Sequence, residues 1–380
     1  MRNIYNLVEM LSFFFLLSCT SSIPRLTARG ELAGQKIDTV VDSQIAKYYL
    51  ENYLNNSRSN SAFDNKIDAL SQGKNDAIPS REDLQSLSHE TSVDFAALYL
   101  AKSILEIEAN RGIHLEFQNE LSKLKAGIET GERHLPAHSD SYVFLFVPGW
   151  VYKSEAGNGA DFANSRKILT QQGLDNYLIE INETGTMEEN SAYVAKEIIR
   201  YNHSNKNLIL VSASSGGPAV IQAIGELLSP SQLKNVRAWV NIGGILRGSF
   251  LADSAVRWPK RWLVKLFLLF KGWDYDSIES MTVKRGHERI TRVNIAPHIF
   301  CLNYAGIPLS GHITKRAKGG YRDLRKRGPN DGLTLITDEL IPNSVTIAEI
   351  GLDHFYLDPE IDLKTVALAR LVINHLEGSK

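Results

Sequence analysis

The chain is poor in cysteine and lacks the short motifs that commonly hold metals or nucleotides. Only Cys19 and Cys301 occur in 380 residues, which excludes a disulfide-rich scaffold and a zinc site of paired C-x-x-C motifs. Neither H-E-x-x-H nor a Walker-type phosphate loop is present. Cys301 lies in an apolar run and is predicted to be a buried, unreactive thiol. No metal site is predicted.

The chain also lacks an excess of charge of either sign. It has 42 Lys and Arg against 43 Asp and Glu, a formal net charge of −1 at pH 7. Bulk charge therefore gives no reason to expect a nucleic-acid partner. The length allows one large domain or two smaller ones.

The N-terminus has the pattern of a secretory signal. Arg2 precedes the short apolar stretch Leu11–Leu17, which is too short to remain as a membrane-spanning helix. Leu16–Cys19 resembles the bacterial lipobox, in which the cysteine is acylated and becomes the first mature residue. We therefore expect a signal peptide over 1–18 and an exported protein anchored in a bacterial membrane by acyl chains at Cys19. Thr20 favours the outer membrane or cell surface; an ordinary cleaved signal is the alternative.

Residues 19–139 predict a helical N-terminal extension. Helical patterning covers Val40–Leu54 and Val93–Leu105, and a polar stretch, Asn55–Ser61, separates the two regions. Ser80–Asp83 fits a helix-capping box. No chemical motif occurs in this segment.

Residues 140–380 predict an α/β domain, because strand-like and helix-like segments alternate there. This succession indicates a mostly parallel sheet with helices on both faces. Strands are expected at Tyr142–Val147, Tyr177–Ile181, Leu208–Val211, Val236–Ile242 and Val345–Ile350, and helices at Phe162–Gln172, Glu188–Tyr201, Pro218–Leu228 and from Glu360 onward.

A turn of small residues centred on Ser214 follows the third of these strands. Ser212–Gly216 is close to the G-x-S-x-G nucleophile elbow, in which a strand enters a sharp turn and a helix leaves it. Ser212 stands where glycine is usual. A tight strand-to-helix connection without catalytic function would have the same pattern.

From Tyr142 to its end, the chain resembles the α/β-hydrolases, the fold of many lipases and esterases. In that family the nucleophile, acid and histidine follow one another along the chain. The resemblance implies Ser214 as nucleophile, Asp331 in an Asn-Asp-Gly turn as acid, and His354 after the last strand as base. Asp253 is the alternative acid. It follows the strand at Val236–Ile242, where some family members place the acid of the triad.

The resemblance also implies an oxyanion hole of two backbone N–H groups. Ser215, after the nucleophile, supplies one. Trp150, in a Pro-Gly-Trp loop that resembles the family's His-Gly-x loop, supplies the other.

Between Ile245 and Ala296 lies an insertion of the kind that caps the active site in this family. Its segment Trp258–Trp273 mixes basic residues, tryptophans and aliphatic residues. It is either a buried cap helix or a segment that lies at a membrane interface or lines an acyl pocket. A second basic stretch, His312–Arg327, is either a solvated loop or a contact for anionic groups.

The resemblance implies a serine hydrolase that cleaves carboxylic esters, lipase- or esterase-like, through an acyl-enzyme on Ser214. Such hydrolysis needs no cofactor, so none is predicted. The expected partners are an ester or lipid substrate and, through Cys19, a membrane; nucleic acid is not expected. Thioesterase, amidase or peptidase activity with the same triad, or a non-catalytic surface binding module, are the alternatives. The oligomeric state is not indicated.

Overall fold

A computed structural model describes residues 25–71, 77–130, 135–136, 138–155, 157, 159–202 and 206–378. Cys19 and the predicted signal peptide lie outside these residues. The chain divides into two compact units. The N-terminal unit contains the described residues up to Ile104 together with Ile307–Leu335 and Ile350–Phe355. The sheet unit contains Leu105–Gly306, Ile336–Glu349 and Tyr356–Lys380.

The first part of the chain begins with a β-hairpin, followed by helices. The elements up to residue 130 are β1 (Leu26–Leu32), β2 (Gln35–Val41), α1 (Gln44–Glu51), α2 (Ser61–Ser71), α3 (Arg81–Glu90), α4 (Val93–Glu106) and α5 (Glu108–Thr130). The predicted capping box is present at the start of α3, where Ser80 accepts from the Asp83 N–H and the Asp83 side chain accepts from the Ser80 N–H.

The hairpin is an element that the predicted helical extension did not include. β1 and β2 pair antiparallel, with Leu26 opposite Val41. Ala33 and Gly34 between them both have positive φ, 48° and 84°, as a two-residue turn that matches the twist of its strands requires. The helix expected from Val40 therefore begins only at Gln44.

The remaining elements form the alternating part of the chain. They are β3 (Tyr142–Val147), α6 (Ala163–Gln171), β4 (Asp175–Leu178), α7 (Met187–Tyr201), β5 (Asn207–Ala213), α8 (Gly216–Gln222), β6 (Val236–Ile242), α9 (Phe250–Val256), α10 (Lys260–Lys271), α11 (Tyr275–Ser280), α12 (Val283–Ile290), β7 (Phe300–Ile307), α13 (Lys318–Leu324), α14 (Ile336–Glu339), β8 (Val345–Ile350) and α15 (Ile361–Gly378).

Six strands form one sheet in the order β4-β3-β5-β6-β7-β8. The pairs from β4 to β7 are parallel, with Phe146 opposite Val211 and Val211 opposite Val240. Strands β3 and β5 carry almost uninterrupted buried apolar residues, as expected of a parallel sheet covered by helices. The predicted α/β architecture, a mostly parallel sheet with helices around it, is confirmed.

Two further predicted elements differ clearly from those observed. β4 ends at Leu178, whereas the strand was expected at Tyr177–Ile181. The helix after Ser214 is regular only to Gln222 and continues as one π-helical turn over Ala223–Leu227. Apolar character continues through both segments, so periodicity alone does not mark where the hydrogen-bond pattern changes.

Candidate active site

Ser214 lies in the turn between β5 and α8, in a conformation that few non-glycine residues adopt. Its φ is 50°, in the left-handed region where a side chain is strained. Backbone hydrogen bonds hold it: its N–H donates to Ile242 O at 3.2 Å, and its carbonyl accepts from the N–H groups of Gly217 at 3.1 Å and Ile245 at 3.2 Å. This strained strand-turn-helix geometry is that of a nucleophile elbow.

The turn passes so close to the end of β3 that glycine is required at Gly216, and the approach is tight at Gly149. A Cβ at Gly216 would lie 2.5 Å from Val147 O, a distance that side chains do not reach without a shift of backbone. A Cβ at Gly149 would lie 3.2 Å from the Ser214 Cβ. The loop after β3 therefore runs directly beside the Ser214 side chain.

Ser212 departs from the glycine of the elbow pattern for a reason that the structure explains. Its hydroxyl is buried and accepts a hydrogen bond from the Trp239 Nε1–H at 2.9 Å. It donates in turn to Asn241 Oδ1 at 3.4 Å. A glycine here would leave the indole N–H of a fully buried tryptophan without this partner. The Ser212 hydroxyl therefore supplies the acceptor that the buried N–H needs. No sequence pattern indicates this role, because it depends on a partner 27 residues away.

Two backbone N–H groups beside Ser214 are available as donors. Within the described part of the chain, no acceptor is bonded to the backbone N–H of Ser215 or of Trp150. Ser215 begins the turn into α8, and Trp150 follows Gly149. Unpaired N–H groups at these positions have the character of an oxyanion hole.

The Trp150 side chain is held by the insertion between β6 and β7. Its Nε1–H donates to Ser277 Oγ at 3.2 Å. Its ring meets the Trp273 ring edge-to-face, with centroids 5.1 Å apart. The insertion thus packs on the loop that carries one predicted oxyanion donor, and both belong to the sheet unit.

Asp331 and His354 form a buried pair in the N-terminal unit. Asp331 Oδ2 is hydrogen-bonded to His354 Nδ1, and the His354 N–H donates to the Asp331 carbonyl at 2.9 Å. The other carboxylate oxygen, Oδ1, accepts from the N–H groups of Leu333 and Thr334, each at 2.8 Å. The carboxylate is therefore fixed on both sides, and the imidazole is oriented by its Nδ1.

The pair shifts the pKa of both members. Burial by itself would raise the pKa of the Asp331 carboxyl, but the His354 ring and the backbone N–H donors lower it below its ordinary value. Burial would lower the pKa of His354, but the Asp331 carboxylate reverses this effect and raises it. A histidine with such a partner is suited to accept a proton and to be stabilised as imidazolium.

The other candidate acid has a different partner. Asp253 lies in α9, and its Oδ1 accepts from the Val283 N–H at 3.0 Å. Asp353 is bonded to the N–H groups of Thr314 at 2.7 Å and Phe355 at 3.1 Å. Both carboxylates satisfy backbone donors, and Asp331 is the one that pairs with His354.

The predicted site residues are distributed over both units. Ser214, Ser215 and Trp150 lie in the sheet unit, and Asp331 and His354 in the N-terminal unit. The latter two follow β7 and β8, which are neighbours in the sheet.

Three other features bear on the sequence predictions. Cys301 is buried, which raises the pKa of its thiol to about 12. No cluster of three or more His, Cys, Asp or Glu suitable for a metal occurs among the described residues. Within the same residues, no helix is long and apolar enough to cross a membrane.

No protein-family model matches the chain, and no curated protein matches it. Solved structures do resemble it. The metagenomic carboxyl esterase MGS0156 superimposes with a TM-score of 0.52 and 16% identity, over 65% of this chain and 80% of that one. The mature form of the Bacillus licheniformis lipase BlEst2 superimposes with a TM-score of 0.50 and 20% identity, over 64% of this chain and 94% of that one. At these identities the similarity establishes a shared α/β-hydrolase-like fold.

Proposed function

We propose that this protein is a serine hydrolase that cleaves carboxylic esters through an acyl-enzyme on Ser214. The observation that carries the proposal is the buried Asp331–His354 pair, which follows the strained Ser214 turn in the chain order of the α/β-hydrolases. A binding module has no need of a strained serine together with a histidine whose pKa is raised by a buried carboxylate. The esterase and lipase structures that share the fold agree with this class of reaction.

In the proposed reaction, Asp331 holds the His354 proton on Nδ1, which leaves Nε2 as the base. Nε2 takes the proton of Ser214 Oγ as the oxygen attacks the ester carbonyl carbon. The oxyanion accepts hydrogen bonds from the N–H groups of Ser215 and Trp150. As the intermediate collapses, the imidazolium protonates the departing alcohol, and a water molecule then hydrolyses the acyl-enzyme by the same steps.

The test is labelling with a fluorophosphonate probe, which reacts covalently with activated serine hydroxyls. The wild type is expected to label and Ser214→Ala to be blank. Ser215→Ala is the matched control, because its contribution is a backbone N–H that the substitution keeps. Absence of label on the folded wild type contradicts the proposal; label that persists in Ser214→Ala assigns the nucleophile elsewhere.

The leaving group is a separate question, since the same triad serves thioesterases, amidases and peptidases. We propose oxygen esters, in agreement with the carboxyl esterase and lipase folds. Turnover of matched p-nitrophenyl ester, thioester and anilide substrates with one acyl group tests this. A higher kcat/KM for the thioester or the anilide would reassign the substrate class.

We also propose that the mature chain is exported and anchored in a bacterial membrane, in the outer membrane or at the cell surface, by acyl chains on Cys19. The lipobox-like Leu16–Cys19 supports this. Metabolic labelling with a palmitate analogue is expected to mark the wild type and to be lost in Cys19→Ala. Equal labelling of the two proteins contradicts the anchor.

A further inference from the structure

Helix α10 presents most of its large apolar side chains to solvent. In Lys260–Lys271 only Leu268 is buried. We call the exposed apolar side the outer stripe; its members are between 49% and 93% exposed, and they are Trp262, Leu263, Leu266, Leu269 and Phe270. Trp258, just before the helix, is 76% exposed.

The outer stripe is one continuous face of the helix. At 100° per residue, its five members fall within an arc of about 120°. A helix of a water-soluble domain normally turns such a stripe toward the core, and an exposed contiguous apolar patch of this kind marks a surface that binds a partner.

The basic residues of this segment flank the stripe and indicate the kind of surface that it binds. Residues 257–273 contain five Lys and Arg and no Asp or Glu, whereas the chain as a whole has a net charge of −1. Two of the lysines fold back over aromatic rings of the insertion, Lys265 over Tyr275 at 4.3 Å and Lys271 over Trp273 at 5.2 Å. At 100° per residue, Lys265 lies about 40° beyond one edge of the stripe and Lys271 about 80° beyond the other.

We propose that the outer stripe docks on the interface of an anionic lipid bilayer. Aliphatic and aromatic side chains on one face, with cations along its borders, are the composition by which a helix lies in the headgroup region. A second copy of this chain fits less well, because a symmetric contact would place five cations against five. Trp258 and Trp262 at the start of the helix suit the membrane–water boundary, where indoles concentrate.

Sedimentation with vesicles tests the proposal in the full chain carrying Cys19→Ala and Ser214→Ala, so that neither acylation nor hydrolysis contributes. This protein is expected to bind phosphatidylglycerol vesicles, and to bind phosphatidylcholine vesicles more weakly. The double substitution Leu266→Gln and Leu269→Gln removes two exposed anchors and is expected to lower partitioning by at least about 10-fold. Leu115→Gln with Leu227→Gln, also exposed leucines of the sheet unit, is the matched control and is expected to bind unchanged.

A charge variant measures how much the cations of this segment contribute to vesicle binding. Arg257→Gln with Arg261→Gln is expected to reduce binding to the anionic vesicles by roughly 5-fold per cation and to leave binding to phosphatidylcholine unchanged. Raising the salt to about 0.5 M is expected to have the same effect, since it shortens the range of surface charges.

Equal binding of the Leu266→Gln, Leu269→Gln protein and its parent overturns the proposal. So does a fall in the solution mass of that variant from dimer to monomer without vesicles, because the stripe would then be covered by a second copy. Because these measurements use a Ser214→Ala background, they are independent of whether the protein hydrolyses esters.

Discussion

Replacing Asp331 with Asn tests the proposed base most directly. Asp331 Oδ1 accepts two backbone N–H groups, from Leu333 and Thr334 at 2.8 Å each, and Oδ2 faces His354 Nδ1. In the variant, the single amide oxygen stays with the two donors, so the NH2 group faces Nδ1. The ring must then accept at Nδ1 and carry its proton on Nε2, where the base needs a lone pair. The fold keeps a hydrogen bond between the two side chains with its direction reversed, whereas the reaction loses its base.

The expected loss in kcat is about 10⁴-fold, by analogy with the same substitution in a Ser-His-Asp protease. This corresponds to about 5 kcal/mol of transition-state stabilisation. Hydrolysis of p-nitrophenyl butyrate measures the loss, and thermal unfolding shows whether the variant is folded. The variant is expected to melt within a few degrees of the wild type.

The pH profile gives a second, independent readout. In the wild type, the Asp331 carboxylate raises the pKa of His354, and the base works only when neutral. Activity therefore falls as pH decreases through that raised pKa. Without the carboxylate, burial lowers the pKa, so the acid limb of the residual kcat/KM is expected to move to lower pH. An acid limb that stays in place or moves to higher pH would show that the Asp331 carboxylate does not raise the pKa of His354.

Asp253→Asn is the matched control, because Asp253 Oδ1 also accepts a backbone N–H, from Val283. This variant is expected to keep turnover within a few-fold of the wild type. Near-normal activity of Asp331→Asn combined with a large loss in Asp253→Asn would move the acid to Asp253.

Three further outcomes concern the framework. Ser212→Ala leaves the buried Trp239 Nε1–H without its acceptor and is expected to lower the free energy of unfolding by about 1–3 kcal/mol in urea denaturation; an unchanged midpoint contradicts the role given to the hydroxyl. Gly216→Ala places a Cβ 2.5 Å from Val147 O, so fluorophosphonate labelling is expected to be lost even in folded protein, and full labelling would show that the turn can relax. Burial, and then the neighbouring Asp42 carboxylate, raise the pKa of Asp94 to about 7. Because the folded state binds this proton more tightly than the unfolded state does, protonation stabilises the fold. The contribution to the free energy of unfolding is full below pH 4 and is lost toward pH 7, at up to about 1.4 kcal/mol per pH unit. Urea titrations of wild type and Asp94→Asn are expected to differ in this slope, and identical slopes refute the assignment.

Sequence patterns predicted best where strands are buried and bounded by turns. The strands at Tyr142–Val147, Val236–Ile242 and Val345–Ile350 have the predicted ends, because mainly apolar runs between turn residues allow few other interpretations. The hairpin at Leu26–Val41 was missed, since the less exposed positions of its strands include Ala28, Gly30 and Thr39, which are too small or too polar to give a clear apolar alternation. Its Ala33–Gly34 turn was the available signal.

The amino-acid sequence by itself determined the class of fold, the position of the Ser214 turn and the order in which Asp331 and His354 follow it. These depend on local propensity and on spacing along one chain. The pairing of Asp331 with His354, 23 residues apart, was decided only by tertiary structure, because two loops must fold back to bring the side chains together.

Tertiary structure also decided two features that the sequence did not indicate or left open. The hydroxyl of Ser212 bonds a tryptophan 27 residues away, which accounts for a serine where the elbow pattern usually has glycine. The apolar residues of α10 are equally apolar in a buried or an exposed helix, so only the packed structure shows that they face solvent. Helical periodicity specifies that a face exists, and the surrounding elements determine what that face meets.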